Sequence, residues 1–242
     1  MVTARRERYF HVFAAVSMLL LMLVGFKDFY LSGEGMGGRQ IAESIVLLVS
    51  VHGVFLTAWV LLFLSQALLV ATRNQRIHMR LGWSAIPIGL GVAISGFMVA
   101  IESVRMSPDF VFFGMPYRQF LLVMFVEMAV FTLFLSLGLM VRKRHRTVHR
   151  AMMLLATLSI MAGATVRIPV LFPIYGEVGW LGLFGPILTL GAAFVVIHSV
   201  LLKSVNRWLT AGYAAMGFAF IAATKFAASD CWSRIADTVF GV

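Results

Sequence analysis

The sequence predicts an all-α, polytopic membrane protein: a seven-transmembrane-helix bundle with its N-terminus in the cytoplasm and its C-terminus outside. The 242 residues are 61% hydrophobic and only 12% charged, whereas soluble domains are roughly half apolar and a quarter charged. Apolar runs long enough to cross a hydrocarbon layer of about 30 Å recur along the chain. Basic residues are concentrated in alternate loops between these runs, a pattern that fixes the orientation of membrane proteins.

The apolar runs predict a single integral membrane domain over residues 1–242. The seven helices are expected at about 10–26, 42–71, 81–101, 119–141, 151–172, 181–202 and 208–227. The first helix follows a basic segment, as a signal peptide would, but the next residues, KDFYLSGEG, lack a small-x-small cleavage pattern. We therefore expect the first helix to be retained. Pro87 and Pro186 lie inside the third and sixth helices and are expected to bend them.

The loops between these helices differ in charge. One set of alternate segments is basic: Arg5, Arg6 and Arg8; Arg73, Arg76 and Arg80; Arg142, Lys143, Arg144, Arg146 and Arg150; Lys203 and Arg207. The other set carries the acidic residues Asp28, Glu34, Glu102, Asp109 and Glu177. By the positive-inside rule, the basic segments face the cytoplasm. The formal net charge of +10 therefore indicates contact with anionic lipid at the cytoplasmic loops, and we expect no nucleic-acid binding.

The composition and motifs exclude several kinds of site. Cys231 is the single cysteine, so the chain has no internal disulfide and no cysteine-rich metal site. The sequence contains no phosphate-binding glycine loop, nucleophile elbow or HExxH zinc motif. These observations leave the class of enzyme, if any, undefined.

Three ionisable residues lie within the outer half of predicted helices. They are His52 on the second helix, Glu127 on the fourth and Arg167 on the fifth, each about 9–13 Å from the outer helix end by a rise of 1.5 Å per residue. Ionisable groups in a membrane are costly unless they are paired, so we expect the three side chains to meet. Two interpretations remain open: a site for protons or a quinone headgroup, and a structural polar clasp that joins the three helices.

Three further histidines lie in the cytoplasmic half. His78 and His149 begin the third and fifth helices, within RNQRIHMRLGW and RKRHRTVHRAMM, and His198 lies near the end of the sixth. Two such imidazoles are able to bind the iron of one haem b from opposite faces. Nearby arginines suit the haem propionates, and they are Arg76, Arg80, Arg146 and Arg150. Alternatively, a loop histidine caps a helix or binds lipid phosphate, and the arginines only fix orientation.

The same two segments suggest an internal repeat. Helices 2–3 and 4–5 each consist of a long helix, a short basic loop with a histidine, and a second helix. Helices 6–7 would be a third copy that lacks the loop histidine. Internal symmetry of this kind is common in membrane folds.

A series of motifs in residues 50 to 170 resembles an uncharacterised family of predicted bacterial multi-pass membrane proteins, a domain of unknown function. Its members show a helix-2 histidine, a glutamine, an R-x-x-H-x-x-x-G helix start and an H-R-x-M helix start followed by an arginine. The matching segments here are VHGVF with His52, LSQAL with Gln66, RIHMRLG with Arg76, His78, Leu81 and Gly82, and HRAMM…ATVR with His149, Arg150, Met152 and Arg167. Here one residue, not two, separates Arg76 from His78. The resemblance implies a bacterial inner membrane and carries no assigned activity.

The architecture is also distantly similar to b-type haem-anchoring membrane cytochromes, in which paired histidines on adjacent helices hold two haems. The outer half of this chain offers only His52, so the resemblance implies at most one haem, on the cytoplasmic side. We therefore expect a redox membrane protein that binds haem b or quinol and relays electrons or protons. Quinone and other membrane subunits are the expected partners. The alternative is a non-catalytic membrane subunit or small-solute carrier whose polar clusters are structural.

Overall fold

A computed structural model describes residues 2–107 and 110–240 of the chain. Asp109, one of the acidic residues used to predict orientation, lies outside the described residues. The helices are α1 (Val2–Gly25), α2 (Lys27–Ser32), α3 (Glu43–Ala71), α4 (Gln75–Leu81), α5 (Ala85–Met106), α6 (Tyr117–Val141), α7 (Arg146–Ser159), α8 (Ala162–Thr165), α9 (Phe172–Tyr175), α10 (Gly179–Leu202), α11 (Arg207–Ala227) and α12 (Asp230–Phe240). Two short strands, β1 (Val111–Phe112) and β2 (Met115–Pro116), form an antiparallel hairpin between α5 and α6.

Within the described residues, seven segments are long and apolar enough to cross a membrane, which confirms the predicted all-α, seven-helix, multi-pass architecture. They are Arg5–Gly25, Glu43–Ala71, Gln75–Met106, Tyr117–Val141, Arg146–Thr165, Gly179–Leu202 and Arg207–Ala227. The first helix begins before the predicted residue 10, because the charged segment at its start consists of residues that form helices readily. Pro87 lies in the first turn of α5, where a missing N–H is tolerated, whereas Pro186 lies inside α10.

The predicted fifth helix, 151–172, is wrong in its second half. Regular helix ends at Ser159, resumes as the short α8, and gives way to a 3-10 turn over Pro169–Leu171. Ile168 is extended, with φ −107° and ψ 97°, as expected for a residue that precedes proline. Proline at 169 also cannot donate a helical hydrogen bond. The chain therefore leaves the helix near the level of Arg167.

Side-chain contacts show that the basic segments share one end of the bundle, which we call the basic end. Arg6 donates to the carbonyl of Leu201 at 3.3 Å, and Glu7 pairs with Arg150 at 2.5 Å. The Arg142 guanidinium lies 4.5 Å from the centre of the Trp83 ring. The positive-inside rule assigns this end to the cytoplasm.

The opposite end, which we call the outer end, is held together by its own contacts. The guanidinium of Arg39 lies 4.3 Å from the centre of the Phe110 ring. The backbone N–H of Gly179 donates to the carbonyl of Phe113 at 2.9 Å, which joins the β-hairpin to the start of α10. The short α12 also packs here, since the Trp232 indole N–H donates to the carbonyl of Arg118 at 3.3 Å.

The core is centred on α7. Within the apolar part of its span 67% of the residues are buried inside the protein, compared with 17% for α3. At mid-height Trp59, which is 1% exposed, donates from its indole N–H to the hydroxyl of Thr157 at 3.2 Å. Its ring meets Phe131 edge to face at 5.0 Å. A central helix that contacts most of the others brings His149, at its start, close to side chains from distant parts of the chain.

Two polar clusters as the candidate functional site

The first cluster, which we call the outer cluster, contains His52 on α3, Glu127 on α6 and Arg167 just after α8. Arg167 is close enough to interact electrostatically with both His52 and Glu127. The three side chains therefore lie in one region of the bundle. Glu127 and Arg167 nevertheless form no direct ion pair in the described structure.

A single glycine connects the carboxylate to the guanidinium. Gly163 lies in the first turn of α8, where backbone N–H groups have no partner within the helix. The Glu127 carboxyl interacts with this N–H, and the Arg167 guanidinium donates to the Gly163 carbonyl. Unpaired backbone groups are costly in a membrane, so both side chains support the interrupted helix.

Arg167 also contacts the end of α1 and the segment that follows it. Its guanidinium lies 4.6 Å from the centre of the Phe26 ring. It borders a narrow cleft at the outer end, which is also lined by Asp28 and Glu34. The guanidinium therefore lies where α8 meets the end of α1, beside a cleft that contains two carboxylates.

His52 has a defined hydrogen-bonding pattern. Its Nδ1 lies 2.9 Å from the Ser95 hydroxyl oxygen, and that hydroxyl donates its own hydrogen to the carbonyl of Gly91 at 2.5 Å. Since the serine hydrogen is already used, the serine oxygen accepts from Nδ1–H of His52. The neutral imidazole then keeps an unshared electron pair on Nε2.

The second cluster, which we call the inner cluster, lies at the basic end and contains His11, His78, His149, His198 and Arg150. The Nδ1 of His149 donates to the carbonyl of Gly138 at 2.9 Å. This contact leaves Nε2 as the nitrogen able to bind a metal. A hydrogen bond from the second ring nitrogen to a backbone carbonyl is the usual support of a metal-binding histidine.

His78 is held in a different way. The side-chain amide of Gln66, oriented so that its oxygen accepts from the Gly82 N–H at 3.0 Å, donates to Nδ1 and to the backbone carbonyl of His78. Because Nδ1 accepts, the proton of the neutral ring is on Nε2. His78 therefore lacks a free electron pair for iron, and its predicted role as an iron ligand does not fit these contacts.

His198 has no hydrogen-bond partner. The residue is 3% exposed, and both ring nitrogens are buried without a partner in the described structure. Its ring packs edge to face against Phe10, with the centroids 5.0 Å apart. Buried polar atoms without a partner are rare and destabilising, and they often mark a site that binds an ion or ligand.

Sequence reasoning missed two members of this neighbourhood, His11 and Glu7. His11 is close enough to interact electrostatically with His149, His198 and Arg150. Glu7 accepts from Arg150 and also interacts with His198. The sequence did contain a signal for His11, namely its depth in the membrane. His11 lies about as far along its helix from the basic residue Arg5 as His198 lies from Lys203, so the sequence places both histidines at a similar level.

The arginines predicted to bind haem propionates fall into two groups. Arg150 is paired with Glu7, so its charge is already neutralised. Arg76, Arg80 and Arg146 are exposed at the basic end, and none of them forms an ion pair with a described residue. These three remain available to a negatively charged group at the membrane surface.

The donor set limits the kind of metal site. Across residues 2–107 and 110–240, no group of three or more His, Cys, Asp or Glu side chains is arranged to hold a metal ion. A bis-histidine haem needs only two imidazoles, because the porphyrin supplies the other four nitrogens. Comparisons with family models, curated proteins and solved structures find no match for this chain.

Proposed function

We propose that this chain is a redox protein of the bacterial inner membrane that binds one haem b at its basic end, where His149 and His198 would hold the iron. The observation that carries the proposal is the state of His198. A 3% exposed imidazole with neither nitrogen paired loses its hydration without compensation, and bound iron would provide that compensation.

The contacts of His149, the second proposed iron ligand, also support the proposal. Its Nδ1–H is fixed by the Gly138 carbonyl, so Nε2 is the free donor and the ring orientation is set before binding. His11 interacts electrostatically with both His149 and His198, which supports a common location for the two proposed ligands. Bound haem would supply one-electron chemistry, and the chain would supply the ligands, their orientation and the apolar surroundings.

Three arginines at the basic end are suited to bind the propionates of a haem. Arg76, Arg80 and Arg146 are exposed cations without ion-pair partners among the described residues. Guanidinium groups bind carboxylates through paired hydrogen bonds, so we assign the propionates to these three residues. The motif resemblance supports the bacterial location, and the charge asymmetry of the loops supports the orientation with the basic end in the cytoplasm.

A difference spectrum tests the haem assignment. Protein purified from cells supplied with haem precursor is expected to show Soret and α bands in the dithionite-reduced minus oxidised spectrum. His149→Ala and His198→Ala should each lose or strongly shift these bands. The matched variant His78→Ala should keep them, because Gln66 already binds the electron pair of that ring. A colourless wild type, or bands that persist in both ligand variants, would refute the assignment.

A second candidate function, quinol oxidation at the outer cluster, is favoured by the electron pair on Nε2 of His52. A quinol hydroxyl donates a proton as it is oxidised, and a neutral imidazole at this depth is a suitable acceptor. In the quinol version, one decylubiquinol would release two protons and two electrons, one electron to each of two haem-loaded protein molecules, and His52→Ala would slow haem reduction at least tenfold while reduction by dithionite is unchanged. Equal rates of quinol reduction in the two proteins would exclude His52 from the reaction.

In this proposal, Glu127 and Arg167 have a structural role. Both side chains bind the backbone of Gly163, and this favours the polar-clasp interpretation for that part of the outer cluster. The same observation supports the alternative class, a non-catalytic membrane subunit or carrier. A colourless protein that does not react with quinol would favour the alternative class.

A further inference from the structure

The outer end contains a cleft that neither polar cluster uses. It is an open, shallow cleft with a volume of about 450 Å³, and it is lined by the β-hairpin, the start of α10 and the end of α11. Sites for small organic ligands commonly measure about 300–1,000 Å³. The cleft is therefore large enough to hold a headgroup together with part of an acyl chain.

The walls of the cleft are mainly apolar. They include Phe113 and Met115 from the hairpin, and Trp180 and Leu181 from the first turn of α10. Leu181 is 45% exposed and Val178, beside it, is 65% exposed. These side chains lie where a spanning helix meets the outer end, so the apolar surface is within reach of lipid from the outer half of the bilayer.

One charged group lies among these walls. Lys225, near the end of α11, is the cation among the described residues that line the cleft, and none of these residues carries a carboxylate. The side chain is exposed and has no ion-pair partner among the described residues. Lysine at a helix end typically lays its aliphatic stem along apolar surface and keeps the ammonium at the headgroup level.

The apolar walls and the positive charge of Lys225 together favour one class of ligand. A soluble anion would neutralise Lys225 but leave the apolar walls uncovered. A zwitterionic lipid would cover the walls, but the cation of its own headgroup already balances its phosphate, so the charge of Lys225 would stay uncompensated. We propose that the cleft binds one anionic phospholipid of the outer leaflet, with its phosphate at Lys225 and an acyl chain against Trp180.

Trp180 makes the proposal directly testable, because brominated acyl chains quench the fluorescence of a tryptophan that they touch. Wild-type protein is reconstituted in phosphatidylcholine vesicles with increasing brominated phosphatidylglycerol, or with brominated phosphatidylcholine. The same titrations with Trp180→Phe give the Trp180 signal by difference. We expect half-quenching of Trp180 at about fivefold lower mole fraction of the anionic lipid, since one lysine near the headgroups contributes a factor of that size.

Two lysine variants separate the site from general surface charge. Lys225→Gln is expected to abolish the preference for phosphatidylglycerol. Lys27→Gln, an exposed lysine of α2 at the same end that does not line the cleft, is expected to preserve it. Equal quenching by the two lipids in wild type, or a preference that survives Lys225→Gln, would overturn the proposal. Loss of the preference on adding millimolar glycerol 3-phosphate would identify a soluble phosphate as the ligand and would overturn it too.

Discussion

Buried polar side chains in this bundle differ in whether another protein group binds them. Ser95 binds His52 and the Gly91 carbonyl, and Glu127 binds the Gly163 backbone. These contacts make each side chain part of the scaffold. His198 is 3% exposed, close to the 5% of Ser95, but neither of its ring nitrogens has a partner in the described structure. A buried, unpaired polar group destabilises the protein when no ligand is bound. Its presence is therefore better explained by a role in ligand binding than by a role in folding.

The difference predicts opposite effects of one substitution on stability and on haem binding. His198→Phe keeps a ring against Phe10 and removes two buried, unpaired nitrogens, so the haem-free protein should become more stable by about 1–3 kcal/mol. The same variant should lose the haem spectrum. Thermal unfolding of haem-free protein in detergent measures the first effect. A midpoint below that of wild type would show that His198 contributes to the fold itself.

A second residue-scale prediction concerns Glu127. Glu127→Gln retains an oxygen that accepts from the Gly163 N–H, whereas Glu127→Ala leaves that N–H unpaired in an apolar region. We expect the alanine variant to lose about 1–3 kcal/mol of stability and the glutamine variant much less. Thermal unfolding in detergent compares them, with Glu102→Ala as a control because that carboxylate is exposed and, among the described residues, pairs with nearby Arg105. Equal midpoints for the two Glu127 variants would contradict the contact with Gly163.

The composition of the outer cluster could be predicted from sequence, but its partners could not. Depth along the helices and the high cost of an unpaired charge in lipid indicated that His52, Glu127 and Arg167 would lie together. The actual link is the backbone of Gly163, which is available because the helix is interrupted there. Hydropathy does not reveal such an interruption, since the residues on both sides of it are equally apolar.

At the scale of helices, the break between α7 and α8 is what positions Arg167. The end of α1 also packs closely on α8 at this place. A methyl group on Gly25 would lie 2.8 Å from the Cα and from the carbonyl carbon of Ala164. Backbone atoms cannot move aside as a side-chain end can, so the packing of α1 on α8 requires glycine at position 25.

Two glycine substitutions test this packing as a matched pair. Gly25→Ala should destabilise the protein by about 1–3 kcal/mol, because the added methyl group meets backbone. Gly163→Ala should be neutral or slightly stabilising, since its methyl would lie 3.8 Å from Arg167 and 3.9 Å from Phe26. Thermal midpoints of the two variants in detergent are the measurement. A Gly25→Ala protein as stable as Gly163→Ala would refute the close approach.

The predicted internal repeat also belongs to this scale. His78 and His149 occupy equivalent places after the two long helices, yet their rings are held differently. His78 accepts at Nδ1 from the Gln66 side chain, whereas His149 donates from Nδ1 to the Gly138 carbonyl. The sequence motif places both histidines correctly at the starts of helices. Which nitrogen keeps its electron pair depends on the facing helix, and a motif does not contain that information.

For the whole molecule, periodicity and charge were sufficient to predict the seven spans and the shared end of the basic loops. They did not predict the β-hairpin or α12, because neither is a long apolar run. In α12 the apolar residues are spaced along one side of a short, otherwise polar helix. Trp232 and Ala236 are 5% and 0% exposed, so α12 is held by packing on the outer end and not by its average hydropathy.

The position of α12 gives a test of orientation that uses a natural probe. Cys231 is the only cysteine of the chain, and it is exposed at the outer end. With the basic end in the cytoplasm, a membrane-impermeant maleimide should label Cys231 from outside in intact spheroplasts. In a Cys231→Ser background, Ser204→Cys places an exposed thiol between α10 and α11 at the basic end and should react only after permeabilisation. The reverse labelling pattern would show the opposite orientation in the membrane. The proposed haem site would then face the outside, and the lipid cleft would face the cytoplasm.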